Sequence, residues 1–74
     1  MNALSTVKVG QPQTVVSLRT QDQAVLQKLM AFGILPGSKL VLEQRFPSYI
    51  IMVGRTRTAL DRETAQCIFV ESRN

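Results

Sequence analysis

Apolar positions recur with a helical period over one stretch of the chain and with a strand period over most of the rest. In TQDQAVLQKLMAFGILPGS, Thr20 to Ser38, a rotation of about 100° per residue places Phe32, Val25, Leu29, Leu26 and Met30 on one continuous arc. The pattern predicts an amphipathic helix over Gln21–Phe32 with that arc in the core. Thr20 and Gln23 stand in the spacing of a capping box, and Asp22 adds negative charge to the first turn. Gly33 suits the left-handed C′ position, which makes Ile34 the C″ residue folding back on Leu29. Pro36-Gly37 then predicts a type II turn, with proline presetting φ and glycine supplying φ > 0.

The remaining apolar positions fall in short strand-sized groups. Leu4, Val7 and Val9 precede a Gly10…Pro12 break and predict a lead-in that tucks a leucine or valine under the fold. Gln13–Arg19 is compatible with a strand, though alternation does not decide which of Val15 and Val16 faces inward. Lys39–Phe46 alternates, with Leu40, Leu42 and Phe46 on one face and Lys39, Val41, Glu43 and Arg45 on the other. Tyr49–Val53 forms the next strand, and Gly54-Arg55 fits a two-residue turn that wants glycine first. That turn pairs Val53 with Thr56, Ile51 with Thr58 and Tyr49 with Leu60, leaving Ile50, Met52, Arg57 and Ala59 on the opposite face. Asp61 opens one helical turn as its N-cap. Cys67–Glu71 is the last strand, with Ile68 and Val70 inward, and Ser72–Asn74 is expected to fray. Five short strands and one helix, the helix between the first and second strands, suggest a small SH3-like barrel that is closed or nearly so.

Size and charge narrow the picture. A chain of 74 residues is expected to be a single domain spanning residues 1–74, with a compact core. Cys67 has no partner for an internal disulfide. With no secretory signal and no run of about 20 apolar residues, the chain is expected to be cytoplasmic and not inserted in the membrane. Nine Lys and Arg against five Asp and Glu give a net charge of +4. The basic residues are scattered, so a solvated basic surface is favoured over a nucleic-acid footprint.

The chemistry on offer is sparse. The sequence contains no histidine, the residue most used as general base and as transition-metal ligand. Asp22, Glu43, Asp61, Glu63 and Glu71 are spread along the chain without ligand spacing. Cys67 has no base nearby in sequence and reads as a packing residue. Each glycine falls at a predicted turn, not in a phosphate loop. The reading is therefore no catalytic residue, no metal ligand and no cofactor. What remains is apolar and lightly charged surface. Ala24, Gln27, Lys28 and Ala31, with Gln23, occupy the outer helix face. Ile50, Met52 and Arg57, with Ala59, occupy the outer hairpin face, and Phe69 is placed to join it. For Ile50 and Met52 a one-residue error in register would make them core instead, and alternation leaves both readings open.

With these residues laid out, the chain resembles the FeoA family of bacterial ferrous-iron transport over nearly its whole length. The resemblance starts with Leu4, Val7 and Gly10. It is most specific where Leu26, Leu29, Gly33, Ile34, Pro36 and Gly37 match the family's leucine–leucine–glycine–isoleucine–proline–glycine signature. It continues through Leu40, Leu42, Pro47, Val53-Gly54, Ala59-Leu60, Ala65, Ile68 and Val70. Two positions depart from the family: Ser48 leads directly into a strand where many members have a longer glycine- and proline-containing loop, and Asp61 stands where many have a basic residue. The resemblance implies an SH3-like fold and a non-enzymatic accessory role, binding and modulating the FeoB-type membrane permease from its cytoplasmic side. Family descriptions link the domain to transition metals, a link attributed here to the pathway. Two other readings compete: a small basic barrel that binds nucleic acid through Arg55 and Arg57, and a self-associating module that forms homo-oligomers.

Overall fold

The computed structural model describes residues 1–72. Its elements run β1 (Asn2–Ala3), a 3₁₀ turn (Leu4–Thr6), β2 (Pro12–Leu18), α1 (Gln23–Ala31), β3 (Lys39–Gln44), β4 (Tyr49–Val53), β5 (Thr56–Leu60), α2 (Arg62–Gln66) and β6 (Ile68–Ser72). All pairings are antiparallel, in the order β1-β6-β2-β3-β4-β5. The strand beyond the expected five is β1, whose two residues pair with Val70 and Phe69 of β6. The ladder does not close, because no pairing joins β1 to β5; the sheet instead wraps round one core. Ser72, expected to fray, pairs with Gln13; residues 73–74 of that expectation lie outside the described residues.

Side chains from the 3₁₀ turn, both helices and strands β2–β6 meet in this core. Leu4, Val15, Leu29, Ile34, Leu42, Ile51, Ile68 and Val70 are almost fully buried, and Leu40, Tyr49, Leu60 and Ala65 pack with them. Burial of one such leucine or isoleucine contributes about 1.5–3 kcal/mol. The lead-in supplies Leu4 and Val7, whereas Val9 is exposed. In β2 it is Val15 that faces inward; Val16 sits in a register shift between Val15 and Ser17 and is exposed.

The helix differs from its sequence pattern in two respects. It begins at Gln23, and its N-cap is Asp22, whose carboxylate accepts from Ala24 N at 2.9 Å and Val25 N at 3.4 Å. Thr20 is not the cap: its Oγ1 accepts from Asp22 N at 3.1 Å, which orients the aspartate. A charged acceptor two residues downstream outcompetes the threonine hydroxyl for the free N–H groups. The arc is also narrower than predicted. Leu29 is fully buried, Val25, Leu26 and Phe32 are half-buried, and Met30 is 48% exposed. A single short helix lying against a curved sheet buries one stripe, not the whole apolar arc.

The chain also departs from its sequence pattern after β3. Alternation places Phe46 inward with Leu40 and Leu42, yet β3 ends at Gln44 and Phe46 is 85% exposed. A register shift between Leu42 and Gln44 inserts Glu43 as an extra residue, so the alternation breaks there. The chain leaves the sheet before Phe46, whose bond to Pro47 is cis.

The turns follow the glycines. Gly33 has φ +82°, Gly33 N donates to Met30 O, and Ile34 N donates to Leu29 O at 2.9 Å, the bond pair of a Schellman stop. Gly37 has φ +95° and Ser38 N donates to Leu35 O at 2.8 Å, which makes Leu35–Ser38 the expected type II turn. The hairpin register is also as expected: Tyr49, Ile51 and Val53 pair with Leu60, Thr58 and Thr56. The last strand begins one residue later than predicted, at Ile68, because Cys67 still closes α2.

Candidate functional site

Helical periodicity assembles the first surface. Ala24, Gln27, Lys28 and Ala31 are spaced i, i+3, i+4 and i+7 on α1, and all four are exposed. The opposite side of the helix carries Leu29 into the core, so this stripe faces solvent.

The second surface is the outer face of the β3–β4–β5 meander. Pairing sets Val41 beside Met52 and Met52 beside Arg57, with Ile50 between Gln44 and Ala59. Ile50 and Met52 are half-buried and Ala59 is exposed. The register therefore holds, and these residues are turned away from the core that Ile51 enters. Arg57 reaches across β4 to Glu43, its Nε donating to Oε1 at 2.6 Å. The hydrogen bond and the charge of Glu43 raise the Arg57 pKa further above its already high ordinary value. The bridge spans two strand spacings, about 10 Å, over the strand that carries Ile50 and Met52. The stripe lies on α1 and this face on the β3–β4–β5 meander, so the candidate residues are carried by two separate elements. Phe69 does not join the hairpin face, because β2 and β3 separate β6 from β4; Arg19 covers it instead, 4.2 Å from the ring centroid.

A third feature has no signature in the sequence pattern. Phe46 stands at a hollow lined by Arg45, Pro47, Ser48, Tyr49, Leu60, Asp61 and Arg62. Arg45 is committed elsewhere, its guanidinium donating to the carbonyls of Ser5 and Val7. Asp61, one of the departures from the family pattern, accepts from Thr64 N at 2.7 Å as N-cap of α2. Hydrogen bonds from Thr64, joined by the charge of Lys28, hold the Asp61 carboxyl below its usual pKa. The bulge at Glu43, which exposes Phe46, leaves no mark in the alternation of apolar residues.

Among the described residues no three His, Cys, Asp or Glu side chains gather where they could hold a metal ion. Asp22 and Asp61 both spend their carboxylates on helix caps. Cys67 is half-buried, with Sγ 3.3 Å from Glu63 O. No described helix is long and apolar enough to cross a membrane.

An antiparallel six-stranded sheet wrapped on one core, with a helix against it, is an SH3-like fold. A sequence-family model, FeoA domain, matches residues 2–72. The chain belongs to the FeoA domain family. Solved structures agree. A crystal structure of an iron uptake regulatory protein (FeoA) is 26% identical, with a TM-score of 0.87 over 97% of this chain and 96% of that one. The solution structure of FeoA from Chlorobium tepidum is 26% identical, with a TM-score of 0.85 over 95% of this chain and 69% of that one. FeoA from Stenotrophomonas maltophilia, crystallised with zinc and described as a prokaryotic SH3 domain protein, is 23% identical, with a TM-score of 0.81 over 92% of this chain and 87% of that one. No curated protein sequence matches the chain. Membership of the family implies a role in ferrous iron transport.

Proposed function

We propose that the chain acts as one non-enzymatic, cytoplasmic accessory domain that binds an FeoB-type permease and modulates ferrous-iron transport. The observation that carries this reading is the FeoA match over residues 2–72. The two surfaces give it a physical means. The stripe Ala24, Gln27, Lys28, Ala31 and the face Ile50, Met52, Arg57 present small and apolar groups with few charges, which suits a protein partner. Phe46, an exposed aromatic beside a hollow, is a further anchor of the kind that dominates interface energetics.

The test is recovery of the permease by the tagged chain from detergent-solubilised membranes of the source organism, with bound proteins identified by mass spectrometry. Specific recovery of an FeoB-type permease is the expected result. Failure to recover it, with the permease shown to be expressed, would contradict the proposal.

A further inference from the structure

We infer that the free edge of β5 is a self-pairing edge, and that two copies of this chain join through antiparallel β5–β5 pairing about a two-fold axis at Thr58. This goes beyond the permease reading and does not depend on it.

The open ladder ends in β1 on one side and β5 on the other. Exposed strand edges are usually blunted by shortness, a bulge, proline or a charge pointing off the edge. β1 is blunted by its length of two residues. β5 has none of these devices. It is five residues long, TRTAL, without proline, and pairs with β4 from Val53↔Thr56 to Tyr49↔Leu60 with no register shift. The charge it carries, Arg57, leans inward across β4 to Glu43 and leaves the edge itself uncharged.

The hairpin fixes which backbone groups are free. A two-residue turn makes Val53 and Thr56 a hydrogen-bonded pair, and such pairs alternate along an antiparallel ladder. Thr56, Thr58 and Leu60 therefore bond to β4, while the N–H and C=O of Arg57 and Ala59 point outward. Among the described residues neither takes part in a backbone bond to another element.

Those two residues are self-complementary. Centring the axis on Thr58 sets Arg57 of one copy opposite Ala59 of the other, and Ala59 opposite Arg57, as two reciprocal hydrogen-bonded pairs. Arginine faces alanine and not another arginine, so no like charges stand directly opposed. Thr58 faces its own copy in the close, non-hydrogen-bonded position, where threonine pairs are favourable. The two-fold closes the assembly at a dimer, because each copy has one such edge.

Sedimentation from about 10 μM to about 1 mM tests the inference, since mass action populates a dimer with concentration. The expected result is a monomer–dimer equilibrium, with exchange of the Arg57 and Ala59 amides slowing by about tenfold or more as the dimer forms. Ala59→Pro removes the outward N–H at a position where an edge strand tolerates proline, and is expected to abolish the dimer; Ala59→Ser keeps the N–H and is expected to retain it. Should Ala59→Pro fail to fold, the amide exchange of the unaltered chain decides alone. A monomer throughout the range, assemblies larger than a dimer, or a dimer whose Arg57 and Ala59 amides still exchange fast would each overturn the inference.

Discussion

Ile34 closes the helix on Leu29: its N–H donates to the Leu29 carbonyl at 2.9 Å, and both side chains are fully buried in the same core. The contact depends on the left-handed turn at Gly33, φ +82°. A Cβ there would meet Val53 Cγ1 at an ordinary 3.8 Å, so space does not demand glycine; conformation does. Gly33→Ala is expected to destabilise the fold by about 1–2 kcal/mol, the cost of a left-handed non-glycine residue, read as a shift in the urea midpoint.

At the other end of α1, Asp22 and not Thr20 caps the helix. Asp22→Ala is expected to cost about 1 kcal/mol. Thr20→Ala removes one exposed bond to Asp22 N and is expected to cost less than about 0.5 kcal/mol. Urea titration of both variants separates this arrangement from a capping box, in which the threonine would be the costlier loss.

Phe46 offers a contrast with ordinary core chemistry. Truncating a buried phenylalanine costs about 3–5 kcal/mol. With Phe46 85% exposed, Phe46→Ala is expected to change stability by no more than about 0.5 kcal/mol. Thermal or urea unfolding checks this, and a large loss would restore Phe46 to the core.

Asp61 links stability to pH. Its folded pKa is lowered, chiefly by hydrogen bonds from Thr64, so the ionised carboxylate favours the native state. That contribution is complete above the ordinary aspartate value, about 3.9, and is lost as pH falls below it toward the folded value. Asp61→Ala is therefore expected to be less stable than the unaltered chain at neutral pH, with the gap narrowing below about pH 4. Urea midpoints measured across pH read this out; a gap that stays constant into acid would remove the linkage.

The legible parts of the fold are those written in local chemistry. Gly33, Pro36-Gly37 and Gly54 fix their turns through φ, and the two-residue turn at Gly54 then fixes the whole β4–β5 register, including the outward set of Ile50, Met52 and Arg57. The illegible parts depend on long-range pairing. The shift at Glu43 arises where β3 meets β4, so alternation carried past it placed Phe46 on the wrong side. The shift at Val16 arises likewise against β6. Met30 belongs to the apolar arc, but how much of an arc is buried depends on what the helix meets. The exposed stripe on α1 was readable from periodicity alone.

In the function we propose, these surfaces bind an FeoB-type permease. Titration of the purified permease in detergent with the unaltered chain, Met52→Glu and Ala31→Glu tests it most directly, with circular dichroism confirming that each variant is folded. The predicted result is saturable binding by the unaltered chain, weakened about tenfold or more by a folded Met52→Glu or Ala31→Glu, as burying a charge in an interface requires. No binding by the unaltered chain, or equal binding by all three folded proteins, would contradict it.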